Sequence, residues 1–99
     1  MTKETRELKC IFDGRKSFYG KAKVIITEMG DVIRYELISY STMVASIIKT
    51  GTSVVYNHNG VYSHTTSRHQ REFFLQYAKE LSYDEMQKIK KGGVLVKEW

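Results

Sequence analysis

The spacing of apolar residues changes once along this 99-residue chain, and that change restricts the folds it can adopt. Between residues 21 and 63, short strand-like runs are separated by glycine-containing turns, and over residues 33–37 apolar and polar side chains alternate with the two-residue period of a strand. From residue 67 onward apolar residues recur every three or four residues, the period of an amphipathic helix. Strands followed by helices predict an α+β domain whose helices cover one face of a sheet.

The segment from residue 21 to 63 is predicted to form an antiparallel meander of four to five strands. In one of its runs, Ile33, Tyr35 and Leu37 would share a face of the sheet. Gly30 lies between two strand-like runs and marks a hairpin turn. Asn59-Gly60 is the strongest short hairpin signal, because a type I′ turn needs positive φ at both central residues, and it predicts a return strand over residues 61–63.

Two capping boxes predict the two C-terminal helices. Ser67 with Gln70 at the third helical position predicts a helix over about residues 67–81. Ser82 with Glu85 predicts a second one over about residues 83–91, which ends at a pair of glycines. The apolar run at residues 94–96 is a candidate for one further short strand.

Composition limits the class of protein. A chain of 99 residues predicts one domain, residues 1–99, with a single modest core. No apolar run approaches the roughly 20 residues of a membrane span, the first residues are charged, and Cys10 is the only cysteine. These features predict a cytoplasmic protein without a membrane partner or an internal disulfide. The net charge of +5 favours acidic partners, nucleic acid above all.

Three separated blocks, residues 15–22, 38–45 and 62–73, resemble a group of small uncharacterised proteins of Firmicutes bacteria, their phages and their plasmids. The shared pattern is R-K-S-F-Y-G-K-A, then S-Y-x-T-x-V-A, then Y-S-x-T-T-x-R-H-x-x-E-F. The resemblance covers about residues 13–77; Ile38 replaces a frequent Tyr, and the chain after Leu81 lies outside it. It implies a mobile-element setting and carries no activity that could be transferred.

The predicted start of the first helix is a candidate anion site. The four unpaired N–H groups and the partial positive charge of a helix N-terminus favour phosphate. Side chains that could add to such a site are Thr65, Thr66, Arg68, His69 and Arg71. In the alternative interpretation, Arg68 pairs with Glu72 one turn later, Arg71 is solvated, and His69 packs in the core with its ring nitrogen bonded to a Thr or a Tyr.

A second candidate site precedes the sheet, where basic residues are interleaved with aromatic ones. Its members are Arg15, Lys16, Phe18, Tyr19, Lys21 and Lys23. Single-stranded nucleic acid is bound by this combination, because cations follow the phosphates while rings stack on bases. The alternative is that Phe18 and Tyr19 are the first core residues of the sheet and the lysines are merely solvated.

The three histidines do not form a recognisable metal site. The spacings of His58, His64 and His69 match no standard ligand set, so we expect neither a metal nor another cofactor. His64 and His69 could instead be the acid and base of a metal-independent ribonuclease, with Arg68 as the cation. No nucleophile elbow, phosphate loop or paired-carboxylate motif supports another enzyme class.

The sequence therefore favours a small basic, non-catalytic binding protein whose functional surface joins residues 15–23 to residues 65–71. Its expected partner is a nucleic acid or a host nucleoprotein. By analogy, the mobile-element setting suggests an inhibitor of host defence of the anti-CRISPR type. Two alternatives stay open: the ribonuclease, and a structural protein that forms homo-oligomers or other contacts through a free sheet edge.

Overall fold

The fold is a single antiparallel sheet with two helices. A computed structural model describes residues 2–14, 17–60, 62–90 and 93–98. The strands are β1 (Thr2–Glu7), β2 (Ala22–Met29), β3 (Val32–Ser39), β4 (Thr42–Lys49), β5 (Ser53–His58) and β6 (Val94–Glu98), and the helices are α1 (His64–Tyr77) and α2 (Tyr83–Ile89). The six strands lie in chain order across the sheet, and each pairs antiparallel with the next.

The α+β class is confirmed, but the predicted number of strands is wrong, because the sheet has six rather than four to five. The strand that the sequence does not reveal is β1. All six of its residues are exposed and polar, so it lacks the alternation by which a half-buried strand is recognised. Its backbone nevertheless pairs along its whole length with β2, from Thr2 opposite Glu28 to Glu7 opposite Lys23.

Of the two predicted glycine turns, one forms a hairpin. Gly30, with φ of +62°, lies in the two-residue turn between β2 and β3, as predicted. The prediction of a return strand after Asn59-Gly60 is wrong, because Tyr62 and Ser63 belong to no strand; Val61 lies outside the described residues. The neighbour of β5 is instead β6, with Val55 opposite Val96, so a long-range pairing replaces the local one.

The N-cap of the first helix lies four residues earlier than predicted, and the helix spans residues 64–77 rather than about 67–81. Its N-cap is Ser63, whose hydroxyl accepts the Thr66 N–H at 3.2 Å. The prediction of Ser67 as N-cap is wrong, because Ser67 lies inside the helix with its N–H bonded to the Ser63 carbonyl. Gln70 could not complete a capping box, since its side-chain amide is used in the core, where it donates to the carbonyls of Val44 and Gly60.

The second capping box is confirmed. The Ser82 hydroxyl accepts the Glu85 N–H, and the Glu85 carboxylate accepts the Ser82 N–H at 2.9 Å. This bond and the adjacent Lys97 ammonium lower the pKa of Glu85 to about 2. The helix ends at Ile89 with Lys90 as its C-cap, slightly before the predicted end at about Lys91; Lys91 and Gly92 lie outside the described residues.

The core lies between the helices and one face of the sheet. Alternate residues of the central strands are buried there, among them Val24, Leu37 and Tyr56, and they meet Phe73 and Phe74 of α1. The opposite face of the sheet, which we call the open face, carries the intervening residues.

The position of the N-cap can be tested with two serine substitutions in the same segment. Ser63→Ala should lower the free energy of unfolding by about 0.5–2 kcal/mol, because it removes the acceptor for the Thr66 N–H. Ser67→Ala should change it by no more than about 0.5 kcal/mol. Urea denaturation of both variants measures the difference, and a larger loss for Ser67→Ala would contradict the observed helix start.

Candidate functional site

The two clusters singled out in the sequence meet at one cleft. It opens between the segment that precedes β2, the β3–β4 turn and the first turns of α1. The cavity has a volume of about 240 Å³. It is lined by Ser17, Phe18, Tyr19, Lys21, Tyr40, Thr65, Arg68 and His69, and we call it the tyrosine cleft.

The floor of the tyrosine cleft is rigid and buried. The His69 side chain is 0 % exposed, and its ring meets the Phe18 ring edge-on at 4.5 Å between centroids. Its Nδ1 lies 2.8 Å from the Ser39 hydroxyl, which in turn lies 3.0 Å from the Thr66 hydroxyl. This network is buried beneath the cleft, so it fixes the shape of the floor rather than offering donors at the surface.

Two exposed tyrosines form the walls. Tyr19 and Tyr40 are 74 % and 56 % exposed, with φ of +53° and +58°. Within the described ranges, they are the only residues other than glycine with positive φ, a conformation that costs about 1–2 kcal/mol per residue. Such strained residues concentrate at functional sites.

Local turns explain why both tyrosines adopt this conformation. Tyr19 and Gly20 are the central residues of a turn closed by a 3.0 Å bond from the Lys21 N–H to the Phe18 carbonyl. Tyr40 begins the two-residue turn between β3 and β4, and its N–H donates to the Lys21 carbonyl at 2.7 Å. That last bond ties the two turns together, so the walls of the cleft are held as one unit.

Two cations border the walls. The Lys21 ammonium lies 5.8 Å from the centroid of the Tyr40 ring, within cation–π range. Arg68 forms an ion pair with Asp13 at 3.4 Å, and its side chain stays substantially exposed. The alternative pairing of Arg68 with Glu72 is wrong, because the Glu72 carboxylate points into the protein.

Glu72 fastens the segment that carries the first wall of the cleft. Its buried carboxylate accepts the backbone N–H groups of Ile11, Phe12 and Asp13 at 2.7–3.1 Å, and also the Gln76 side-chain amide. Three consecutive amides thus converge on one charge. Sequence reasoning missed this role, although the position of Glu72 between His69 and Phe73 on the apolar stripe of α1 was a usable signal.

The remaining candidate residues lie at different places. Thr65 lines the tyrosine cleft, whereas Thr66 is buried and its hydroxyl is engaged with Ser39 and Ser63. Arg71 is exposed on α1 and is not among the lining residues, and Lys23 is exposed on the open face. Arg15 and Lys16 lie outside the described residues.

Ser17 and Tyr40 are the two lining residues that sequence reasoning did not assign, and Tyr40 is the one that forms a wall of the cleft. The sequence signal was the two-residue connection Tyr40-Ser41 between two strand-like runs. So short a hairpin turn requires positive φ, which here falls on Tyr40.

The histidines differ in accessibility. His64 is exposed at the first position of α1, whereas the His69 ring is enclosed by Phe18, Tyr40 and Ser39. Among the described residues, no three His, Cys, Asp or Glu side chains are placed to hold a metal ion. No helix in the described part of the chain is long and apolar enough to cross a membrane.

Most of the sequence, from the end of β1 to the end of α2, matches a recognised protein family. Residues 6–90 match DUF8033, a family of unknown function. The chain belongs to DUF8033. No curated protein and no solved structure matches the chain. The match includes every residue that lines the tyrosine cleft, together with Glu72, so the whole site lies within the DUF8033 domain.

The role of Glu72 can be tested with an amide substitution. In Glu72→Gln, the charge is lost and an NH₂ donor can face backbone donors, so the free energy of unfolding should fall by about 1.5–3 kcal/mol. Hydrogen exchange at the amides of residues 11–13 should also accelerate. The control, Glu28→Gln at an exposed glutamate, should stay within about 0.5 kcal/mol of the wild type. Equal effects of the two substitutions would refute the proposed role of Glu72 in holding residues 11–13.

Proposed function

We propose that this DUF8033 protein is a non-catalytic binding protein that takes up single-stranded nucleic acid at the tyrosine cleft. The observation that carries the proposal is the convergence of Tyr19 and Tyr40 with Lys21 and Arg68, from three separate parts of the chain, around one cavity. Rings beside cations are the combination that single-stranded nucleic acid requires.

The aromatic walls supply the base contacts. Tyr19 and Tyr40 project from turns that are linked by a backbone hydrogen bond, so stacking on them requires little further ordering of the protein. Because a phenol ring stacks on any base, this mode of binding depends weakly on sequence. The presence of strained tyrosines at both turn positions, where glycine would be more stable, also supports a function for the rings.

The electrostatics favour the phosphate backbone. Lys21 and Arg68 lie at the cleft, and the first turn of α1 beside it contains no acidic residue. The unpaired N–H groups of that turn and the net charge of +5 act in the same direction. One acid opposes them, because Asp13 pairs with Arg68; a phosphate would compete with a carboxylate for this guanidinium.

Burial of His69 favours binding over the ribonuclease alternative. A general acid or base must reach the proton that it transfers, and His69 has no exposed surface and is held by Ser39. Multiple-turnover RNA cleavage that is lost in both His64→Ala and His69→Ala would nevertheless replace the binding proposal with the enzyme.

The cellular role that we propose is in the cytoplasm, on the nucleic-acid component of a host nucleoprotein, as an inhibitor of host defence of the anti-CRISPR type. Its support is the resemblance of residues 15–22, 38–45 and 62–73 to phage and plasmid proteins, together with the positive charge. Recovery of the protein from host cells with a nuclease-sensitive partner would support this role, and a nuclease-resistant partner would favour direct protein binding.

Glycine substitution separates the strain of the tyrosines from their function. Tyr19→Gly should leave the free energy of unfolding unchanged or raise it by up to about 1 kcal/mol, because glycine accepts positive φ. Binding of a fluorescent single-stranded oligonucleotide should weaken by about 1–3 kcal/mol, the value of one stacked base. Tyr83→Ala, at an exposed tyrosine on α2, is the control and should bind normally. Unchanged binding by both Tyr19→Gly and Tyr40→Gly would refute the proposal.

The contribution of the cations can be tested with two lysines that are two residues apart. Lys21→Gln should reduce affinity and lower the slope of log K against log salt by about 0.7, because one phosphate contact is lost. Lys23→Gln removes the same charge from the open face and should change both quantities less. Fluorescence anisotropy over a salt series measures both. Equal losses would mean that net charge, rather than the cleft, governs binding.

A further inference from the structure

The two edges of the sheet differ in chemistry. The β1 edge is polar throughout, and its alternating charges are the usual protection against pairing with another strand. The β6 edge begins with Val94-Leu95-Val96. In the described part of the chain, β6 pairs with β5 alone, so its outer edge is available for another strand.

Two hydrogen bonds establish which amides of β6 point outward. The His58 N–H donates to the Gly93 carbonyl at 3.0 Å, whereas the N–H of Asn59, the next residue, donates to Val44 on the other side. Because bonding direction alternates along an antiparallel strand, the amides of residues 93, 95 and 97 face β5. The N–H and C=O groups of Val94, Val96 and Glu98 therefore point away from the sheet.

The side chains of β6 leave this edge unprotected. Val94 and Val96 are 60 % and 57 % exposed on the open face, whereas Leu95 packs against the core on the other side. Lys97 is the only basic residue of β6, and it forms an ion pair with Glu85 of α2 at 2.9 Å. Its charge is thus partly neutralised and is drawn to the core side of the sheet.

We propose that β6 pairs antiparallel with β6 of a second copy of this chain and joins the two sheets into one. A second copy is the fitting partner because a two-fold axis at Leu95 places Val94 of each copy opposite Val96 of the other. An axis at Lys97 would instead place two ammonium groups opposite each other, which is unfavourable. The β1 edge contains no apolar residue, so no alignment of two β1 strands would place apolar side chains opposite each other.

The pairing has definite geometry and limited size. The two Val94–Val96 pairs are hydrogen-bonded pairs and provide about four backbone bonds, while Leu95 faces its own copy at a non-hydrogen-bonded position. So short an overlap buries less surface than a permanent dimer requires, so the dimer forms reversibly with concentration. It carries two tyrosine clefts, which would let one strand bind both with increased avidity if the proposed function holds. The dimer itself does not depend on that function.

Sedimentation velocity over a series from micromolar to submillimolar protein tests the dimer. The wild type should shift from monomer to dimer as concentration rises. Val96→Lys and Val96→Pro should stay monomeric, because the first adds opposed charges and the second removes an outward donor that β5 does not use. Thr5→Lys on the β1 edge is the control and should still dimerise. Circular dichroism and a thermal melt establish that each variant is folded, and Val96→Lys decides the matter if the proline variant is not.

A monomeric wild type at every concentration, or a dimer that survives Val96→Lys, would overturn the proposal. Loss of the dimer in Thr5→Lys would move the interface to β1 and overturn it equally. These outcomes are independent of nucleic-acid binding, which the cleft variants report separately.

Disulfide formation tests the register. In a Cys10→Ser background, Leu95→Cys should oxidise to a covalent dimer, because residues facing each other at this position have Cα atoms about 4.5 Å apart. Glu98→Cys in the same background should not, since its two copies would lie about 20 Å apart along the strands. Non-reducing electrophoresis after mild oxidation gives the result. Cross-linking at residue 98 and not at residue 95 would refute the proposed axis.

Discussion

The Glu72 carboxylate forms the interactions on which the architecture of the candidate site depends. Between β1 and β2, residues 8–14 and 17–21 form no helix or strand, and the backbone amides of Ile11, Phe12 and Asp13 converge on Glu72. This bond network attaches the segment to α1, which also provides one side of the cleft. A buried carboxylate without such donors would be strongly unfavourable, so the segment and the helix stabilise each other.

The backbone strain at the two tyrosines of the cleft is compensated by hydrogen bonds in the surrounding residues. Tyr19 and Tyr40 each occupy a conformation that favours glycine, and neither ring is buried in compensation. The surroundings supply the compensation: the Lys21 backbone bonds to both turns, and the buried His69–Ser39–Thr66 network fixes the floor. The cost of positive φ is thus met by the fold, while the rings stay exposed, the arrangement expected of a binding surface.

The sequence predicts whatever is encoded locally, and fails where a distant partner decides. The Ser82–Glu85 capping box, the Gly30 hairpin and the position of β2 to β5 follow from short-range patterns, and the structure confirms them. By contrast, Asn59-Gly60 reads as a hairpin, yet β6 pairs with β5 from more than thirty residues later. The N-cap at Ser63 was missed because Ser67 and Gln70 match the sequence pattern of a capping box. In the structure the Gln70 side chain instead donates to the Val44 carbonyl. The cleft was predicted through Phe18, Tyr19, Lys21, Thr65, Arg68 and His69, whereas the roles of Tyr40 and Glu72, although each left a signal in the sequence, were recognised only in the tertiary structure.

Position on the sheet, rather than total charge, distinguishes one basic residue from another in this molecule. Lys21 and Lys23 are equivalent in any count of charge, and both belong to the same basic, aromatic stretch of sequence. Lys21 precedes β2 and lies at the cleft beside Tyr40, whereas Lys23, inside β2, is directed to the open face. A phosphate bound near Lys23 would find no tyrosine of the cleft on which its base could stack. The net charge of +5 therefore favours acidic partners in general, while the two tyrosine turns would determine where a strand of the proposed ligand is held.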